Sequence, residues 1–276
     1  MPYVPHTPDD VREMLAAVGA DSVEALFAEI PTDMRPQSFD VPEGKSEMEV
    51  LAHMERLAGR NRTGLVSFLG AGFYDHHIPA AVDALTMRGE FYTAYTPYQP
   101  EASQGTLQAV FEYQTAVSRL LGMDCANASV YDGGTALVEA AMMAVRQTKR
   151  RKVLVSEAMS PIYRTMLASY TRNLHLELEQ VPHRDGATDL AALTAALDGD
   201  TACVLVQNPN FFGCVADFTE LFATAREAGA LAVCSAYPVL AAVLKTPGQM
   251  GADIAVAEGQ SLGRPLSFGG PYLGVM

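Results

Sequence analysis

The chain has 276 residues, of which 49% are hydrophobic, so it can bury one sizeable core and a small accessory lobe. Its formal net charge of −13 argues against nucleic acid as a partner, because phosphate binding needs clustered Lys and Arg. We find no signal peptide and no run of the ~18 apolar residues that a membrane span needs, and we expect no membrane contact. Four cysteines without CxxC spacing favour reduced thiols and a cytoplasmic location.

Residues 1–60 predict a small helical arm, which we expect to wrap on a neighbour, while residues 61–276 predict the main domain. In the arm, the third helix begins with Ser46 and Glu49 in capping-box spacing. Prolines and glycines separate the helices. The predicted helical ranges are 7–19, 22–29 and 46–60.

The main domain begins with a predicted loop-rich stretch, which is followed by a long amphipathic helix and then by alternating strands and helices. The long helix is predicted over residues 103–121. Five apolar residues recur on one of its faces: Leu107, Val110, Phe111, Val117 and Leu121. Predicted strands cover residues 128–131, 153–156, 176–181, 204–207, 231–235 and 254–257. Predicted helices cover residues 134–146, 161–171, 190–197 and 218–228, and Asp217 and Glu220 stand in capping-box spacing at the start of the last helix. This alternation predicts a mostly parallel sheet with helices on both faces.

Ligands bind such sheets beyond the carboxyl ends of the strands, and three segments are candidates for that position. The first is a strand-to-helix turn, in which free backbone amides at a helix N-terminus can hold a phosphate. On the motif alone, an ordinary strand-to-helix turn without a ligand is the favoured interpretation. The residues of this turn are Asp132, Gly133, Gly134 and Thr135.

The second segment covers residues 68–79, where glycines let the backbone approach a ligand closely. Tyr74 offers a hydrogen-bonding hydroxyl and His76 a group that titrates near neutral pH. His76 and His77 are adjacent, so in extended chain they point to opposite sides, and no third ligand stands at useful spacing. We therefore predict no metal site.

The third segment is a proline-containing loop before the long helix. It carries five amphipathic or polar residues: Tyr95, Tyr98, Gln99, Glu101 and Gln104. This composition is typical of a rigid recognition loop. A solvated loop with Ser103 as the N-cap of the helix is the alternative.

Three stretches carry a family resemblance. Residues 68–79 read FLGAGFYDHHIP, residues 90–114 read EFYTAYTPYQPEASQGTLQAVFEYQ, and residues 127–140 read NASVYDGGTALVEA. In order and spacing they resemble the glycine decarboxylase P-protein of the glycine cleavage system, in particular subunit 1 of its two-subunit form. The resemblance runs along the whole chain, and the family continues into a smaller C-terminal domain, which we expect this chain to lack.

The resemblance implies a fold-type-I pyridoxal-phosphate (PLP) transferase-like large domain. It also implies a reaction that decarboxylates glycine and passes the aminomethyl group to the lipoyl group of the H-protein. The partners implied are the homologous subunit 2, the H-protein and glycine, in a hetero-oligomer. The seven polar residues Tyr74, His76, Tyr95, Tyr98, Gln99, Glu101 and Gln104 are then expected at a substrate or interface site.

Gln260 stands where the resemblance implies the Schiff-base lysine, and a carboxamide cannot form an imine. The four lysines of the chain lie elsewhere: Lys45, Lys149, Lys152 and Lys245. The strand over residues 231–235 also ends without the carboxylate that such sheets present to the pyridinium nitrogen. We therefore expect PLP to be held covalently by subunit 2, and the isolated chain to be inactive. Two alternatives stay open: a scaffold subunit that only stabilises its partner, and a self-sufficient PLP enzyme with an unexpected lysine.

Overall fold

The computed structural model describes residues 5–36, 38, 40–66, 68, 70, 72, 74–92, 96–268, 270 and 272–276. It divides into two compact units, residues 1–67 and residues 68–276. The predicted arm over residues 1–60, and its contact with a neighbour, stay predictions.

The first unit contains two helices, α1 (Pro8–Val18) and α2 (Glu47–Ala58), and both begin with a capping box. At the start of α2, Ser46 N donates to Glu49 Oε2 over 2.9 Å, so the predicted cap is confirmed. The helix expected over residues 22–29 is wrong, because only a 3-10 turn forms there, at Glu24–Phe27. No side chain of α1 or α2 is buried.

The second unit begins with two short helices in the stretch predicted as loop-rich, so that prediction is wrong there, and after the next two helices it alternates strands and helices. Its helices are α3 (Ala80–Thr86), α4 (Gly89–Tyr92), α5 (Gln104–Leu121), α6 (Gly133–Thr148), α7 (Pro161–Thr171), α8 (Leu190–Ala196), α9 (Thr219–Glu227) and α10 (Pro247–Met250). Its strands are β1 (Lys152–Ser156), β2 (Glu177–Val181), β3 (Thr201–Asn208), β4 (Leu231–Ala236), β5 (Ile254–Glu258) and β6 (Gly274–Val275).

The strands form one sheet in the order β2-β1-β3-β4-β5-β6. Neighbours from β2 to β5 pair in parallel, and β6 pairs antiparallel with β5. The predicted mostly parallel sheet is thus confirmed. The strand predicted over residues 128–131 is wrong: only Val130 bridges to Gly274, because Ser129 has a φ of 110° and the chain turns into α6 at Asp132.

Alternate residues of each strand pack on opposite faces of the sheet, as the period of two requires. On one face Val153, Val155 and Leu205 pack with α6 and α7. On the other face Leu154 and Val204 pack with α8 and α9. Helices therefore cover both faces, as predicted.

Helix α5 packs on the sheet with its C-terminal half. Val117 and Leu121 are buried in one cluster with Ala255 and Ala257 of β5 and Val275 of β6. Phe111, predicted on the buried face, is 66% exposed, so that prediction is wrong. No residue of the helix before Val117 is buried, because the sheet supports only the later turns.

Two predicted N-caps differ in the structure. Ser103 precedes α5 but makes no side-chain capping hydrogen bond. The capping box expected from Asp217 and Glu220 is wrong, because Phe218 is the N-cap residue of α9. Asp217 instead accepts hydrogen bonds from Thr219 and pairs with Lys245 Nζ at 3.1 Å.

Within the part of the chain that the structure describes, no helix has the length and apolar character required to cross a bilayer.

An ion-pair cluster at the start of β1 gives a prediction about acid stability. Lys152 Nζ lies 2.9 Å from Asp198 Oδ2, and this hydrogen bond is the largest cause that lowers the pKa of Asp198 to about 2. The depressed pKa contributes stability that is present above the ordinary value of 3.8 and lost as pH falls through about 2. Between about pH 5 and pH 2, the Asp198→Asn variant should therefore lose less unfolding free energy than the parent chain. Urea unfolding at each pH measures this loss. Asp200→Asn is the control, since Asp200 makes no ion pair with any described residue, and equal pH profiles for both variants would contradict the assignment.

Candidate functional site

A cavity of about 510 Å³ opens where β1, β3, β4 and β5 end. This is the edge at which parallel sheets bind their ligands. Strand ends and the loops that follow them supply most of the polar lining: Ser160, Gln207, Asn210, Ser235, Tyr237, Glu258 and Gln260. Asp132 adds a carboxylate from the start of α6.

The predicted phosphate turn is tightly packed at the start of α6. Asp132 is the N-cap, and its Oδ1 accepts from Thr135 N over 2.7 Å. Gly133 N donates to Glu258 Oε2 over 2.9 Å. A Cβ on Gly133 would lie 2.5 Å from Tyr163 Oη, so a side chain has no room there. The prediction that these amides are free is therefore wrong for Gly133 and Thr135.

Glu258 joins three backbone segments at the end of β5. Besides the bond from Gly133, its Oε1 accepts from Gln260 N over 3.0 Å and from Leu273 N over 3.1 Å. Burial raises the pKa of Glu258, and the three amide hydrogen bonds oppose that rise. The N-terminus of α6, where an anion would bind, is thus already occupied by the protein's own Glu258 carboxylate.

Gln260 lies in the turn directly after β5 and lines the cavity. Its side chain is 5% exposed, and its Nε2 donates to the carbonyl oxygen of Arg264 over 2.6 Å. The residue predicted in place of the coenzyme lysine therefore faces the candidate site.

Tyr74 and His76 also line the cavity. His76 Nε2 hydrogen-bonds to Tyr237 Oη, and the rings of Tyr74 and Tyr237 meet edge-on with centroids 5.6 Å apart. Burial raises the pKa of Tyr237. This hydrogen bond therefore connects the imidazole of His76 to the segment that follows β4.

The described residues of the predicted recognition loop do not line this cavity. Tyr95 lies outside the described residues. The remaining loop residues, Tyr98, Gln99, Glu101 and Gln104, are exposed, and Tyr98 is 83% exposed. Of the predicted site residues that the structure describes, four line the cavity: Tyr74, His76, Asp132 and Gln260.

Several cavity residues were not predicted: Ser160, Tyr163, Asn210, Ser235, Tyr237, Glu258 and Tyr272. Most follow the end of a predicted strand within a few residues, and this position was the available signal. Tyr163 belongs to α7, where nothing in the helical pattern marks it as a site residue. Among the residues that the structure describes, no three His, Cys, Asp or Glu side chains cluster closely enough to hold a metal ion.

Comparison with known proteins identifies the family. The family model described as glycine cleavage system P-protein matches residues 1–276. The chain belongs to this family. The P-protein resemblance predicted from the sequence motifs is thereby confirmed.

Among its P-protein relatives, the chain is 71% identical to the probable glycine dehydrogenase (decarboxylating) subunit 1 of Solidesulfovibrio magneticus. It is 70% identical to the protein of the same name from Nitratidesulfovibrio vulgaris. Each match covers all of this chain and 62% of the relative, so the chain spans about 62% of the length of these curated relatives.

Two solved structures resemble this P-protein chain. A glycine decarboxylase (P-protein) of the glycine cleavage system, in inhibitor-bound form, is 48% identical with a TM-score of 0.93 and covers 100% of this chain and 62% of its own. A sphingosine-1-phosphate lyase of Burkholderia pseudomallei is 13% identical with a TM-score of 0.61, covers 88% of this chain and 61% of its own, and shows the fold alone. The predicted PLP-transferase-like fold class is confirmed.

The cavity residues do not fit PLP, the coenzyme that this fold class implies. Among the described residues that line the cavity, none is Lys or Arg, so neither a Schiff base nor a charge partner for the phosphate is available. Glu258 already accepts a hydrogen bond from the backbone N–H of Gly133, and Asp132 adds a second carboxylate to the cavity lining. Ser235 near the end of β4 offers a hydroxyl where a carboxylate would pair with a pyridinium nitrogen.

Proposed function

We propose that this chain is the non-lysine subunit of a two-subunit glycine decarboxylase. The whole enzyme would decarboxylate glycine with PLP and transfer the aminomethyl group to the lipoyl group of the H-protein. The observation that carries the proposal is Gln260, a carboxamide facing the cavity directly after β5. The 71% identity with a subunit 1 protein over all of this chain supports it.

In this proposal PLP is held covalently by the homologous subunit 2. The coenzyme supplies the electron sink for decarboxylation, and this chain positions groups around the partner's site. Tyr98, Gln99, Glu101 and Gln104 are exposed before and at the start of α5 and are therefore available to a partner. Tyr95 stands in the same loop in the sequence, and we assign it the same role.

A scaffold role is the second candidate, and one observation favours it. The described loop residues do not line the cavity with Tyr74 and His76, so the described part of the predicted site is not assembled at one place. In that case subunit 1 would stabilise subunit 2 without touching the reacting groups.

Alanine substitutions in the reconstituted complex distinguish the two roles. We expect Tyr95→Ala and Glu101→Ala each to lower glycine–bicarbonate exchange by about tenfold or more, which corresponds to about 1.4 kcal/mol of lost transition-state stabilisation. Assembly with subunit 2, measured by size-exclusion chromatography, should be unchanged. Glu139→Ala is the matched control, because Glu139 is an exposed carboxylate on α6 and does not belong to the loop. Unchanged exchange in both loop variants would support the scaffold role and contradict a shared site.

A further inference from the structure

The cavity is lined by acidic side chains and, among the described residues, by neither Lys nor Arg. Asp132 and Glu258 contribute two carboxylates. The imidazole of His76 is engaged by Tyr237. A ligand that carries a phosphate or carboxylate group would therefore meet like charge without a cation to pair with.

Three buried side chains of the cavity leave polar atoms without a partner. Ser160 is 8% exposed and Ser235 is 4% exposed, and neither hydroxyl makes a hydrogen bond with any described residue. Gln260 is 5% exposed and uses its Nε2 on Arg264, while its Oε1 accepts nothing from the described chain. Each of these three oxygens is open to the cavity, where it can accept a hydrogen bond from a ligand, and the two serine hydroxyls can also donate one.

The walls of the cavity are aromatic and apolar. Tyr74, Tyr163, Tyr237 and Phe211 line it together with Ile162 and other apolar residues. Its volume of about 510 Å³ suits a small organic molecule. Aromatic faces attract ammonium groups and also pack against apolar groups.

We propose that this cavity is a binding site for a small organic cation, a primary ammonium attached to an apolar group, and that it rejects phosphorylated and carboxylate ligands. An ammonium group brings three donors and no acceptor, which matches the unpaired oxygens of Ser160, Ser235 and Gln260. Asp132 and Glu258 supply the opposite charge. The proposal rests on the lining of this cavity and does not depend on which subunit holds the coenzyme.

Calorimetric titration of the chain with three probes of equal shape and different charge tests the proposal. Benzylamine should bind about tenfold or more tightly than benzyl alcohol, and benzoate should not bind. Pyridoxal phosphate, as a phosphorylated probe, should not bind either. Ser235→Ala and Gln260→Met should weaken benzylamine binding about threefold to tenfold, since each removes one hydrogen-bond acceptor.

Ser169→Ala, at an exposed serine of α7, is the matched control and should bind benzylamine as the parent chain does. The melting temperature of each variant is measured in parallel, so that a folding defect is separated from a loss of binding. The proposal is overturned if benzoate or pyridoxal phosphate binds as tightly as benzylamine, or if benzylamine does not saturate the chain below about 10 mM. It is also overturned if folded Ser235→Ala and Gln260→Met bind as the control does. Glycine exchange by the complex is a separate readout, so failure here leaves the proposed function untouched.

Discussion

Alanine at Gly248 is expected to lower the free energy of unfolding by about 3 kcal/mol or more. A Cβ at this position would lie 1.8 Å from the carbonyl oxygen of Gly122 and 2.4 Å from its carbonyl carbon. Both atoms belong to the backbone, so no side chain can turn away to make room. Gly122 ends α5 with a φ of 71°, and its close approach to α10 fixes the end of the long helix. Urea unfolding followed by circular dichroism measures the loss.

Two glycine-to-alanine controls separate this steric effect from the general effect of adding a methyl group. At Gly199 and Gly105 no atom beyond the adjoining chain lies within 4 Å of the position that a Cβ would take, so alanine meets open space at both. Each should change stability by less than about 1 kcal/mol, and Gly105→Ala within α5 should be stabilising. A Gly248→Ala variant as stable as Gly199→Ala would contradict the close approach of α5 and α10.

Removing the side chain of Glu258 is the second large effect. Glu258→Ala should cost about 2–3 kcal/mol, because hydrogen bonds to a charged acceptor are lost at three amides. Glu258→Gln should cost less, because its amide oxygen still accepts from Gln260 N and Leu273 N. The Nε2 of the new glutamine then faces the backbone N–H of Gly133, and this hydrogen bond is lost because both groups are donors. Urea unfolding near neutral pH measures both variants against the parent chain.

The pH dependence gives this prediction a second readout. Burial raises the pKa of Glu258 above its ordinary value of 4.5, so the folded state holds this proton more tightly than the unfolded state. The resulting stability is fully present below the unfolded pKa and is lost as pH rises through the folded pKa. The unfolding free energy of the parent chain, relative to that of Glu258→Gln, should therefore fall as pH rises from below 4.5. A flat difference, or equal costs for Ala and Gln, would contradict the role assigned to this carboxylate.

Local patterns predicted most of the fold. The strands from β1 to β5 and the helices from α6 to α9 were predicted within a few residues, because apolar runs and amphipathic periods report local burial. The cap at Ser46 depends on residues three apart and was also predicted. Phe111 and the segment around Val130 were wrong, since their environment depends on where the distant sheet edge lies.

The candidate site was predicted in part for the same reason. Gln260, Tyr74 and His76 stand in turns and loops whose sequence marked them, and all three line the cavity. The contact of Gly133 with Glu258 joins residues 125 positions apart, and that of His76 with Tyr237 joins residues 161 apart. No local pattern in a single sequence predicts such contacts. The amide of Gly133 was therefore expected to be free, whereas it donates to the carboxylate of Glu258.

Borohydride trapping tests most directly whether a partner chain carries the coenzyme. The chain is mixed with one equivalent of pyridoxal phosphate, alone and in complex with subunit 2, then reduced and analysed by peptide mass spectrometry. We predict one stoichiometric label on a lysine of subunit 2, and no label on Lys45, Lys149, Lys152 or Lys245 above that of the unfolded chain. A stoichiometric label on one of these four lysines in the folded chain would contradict the account.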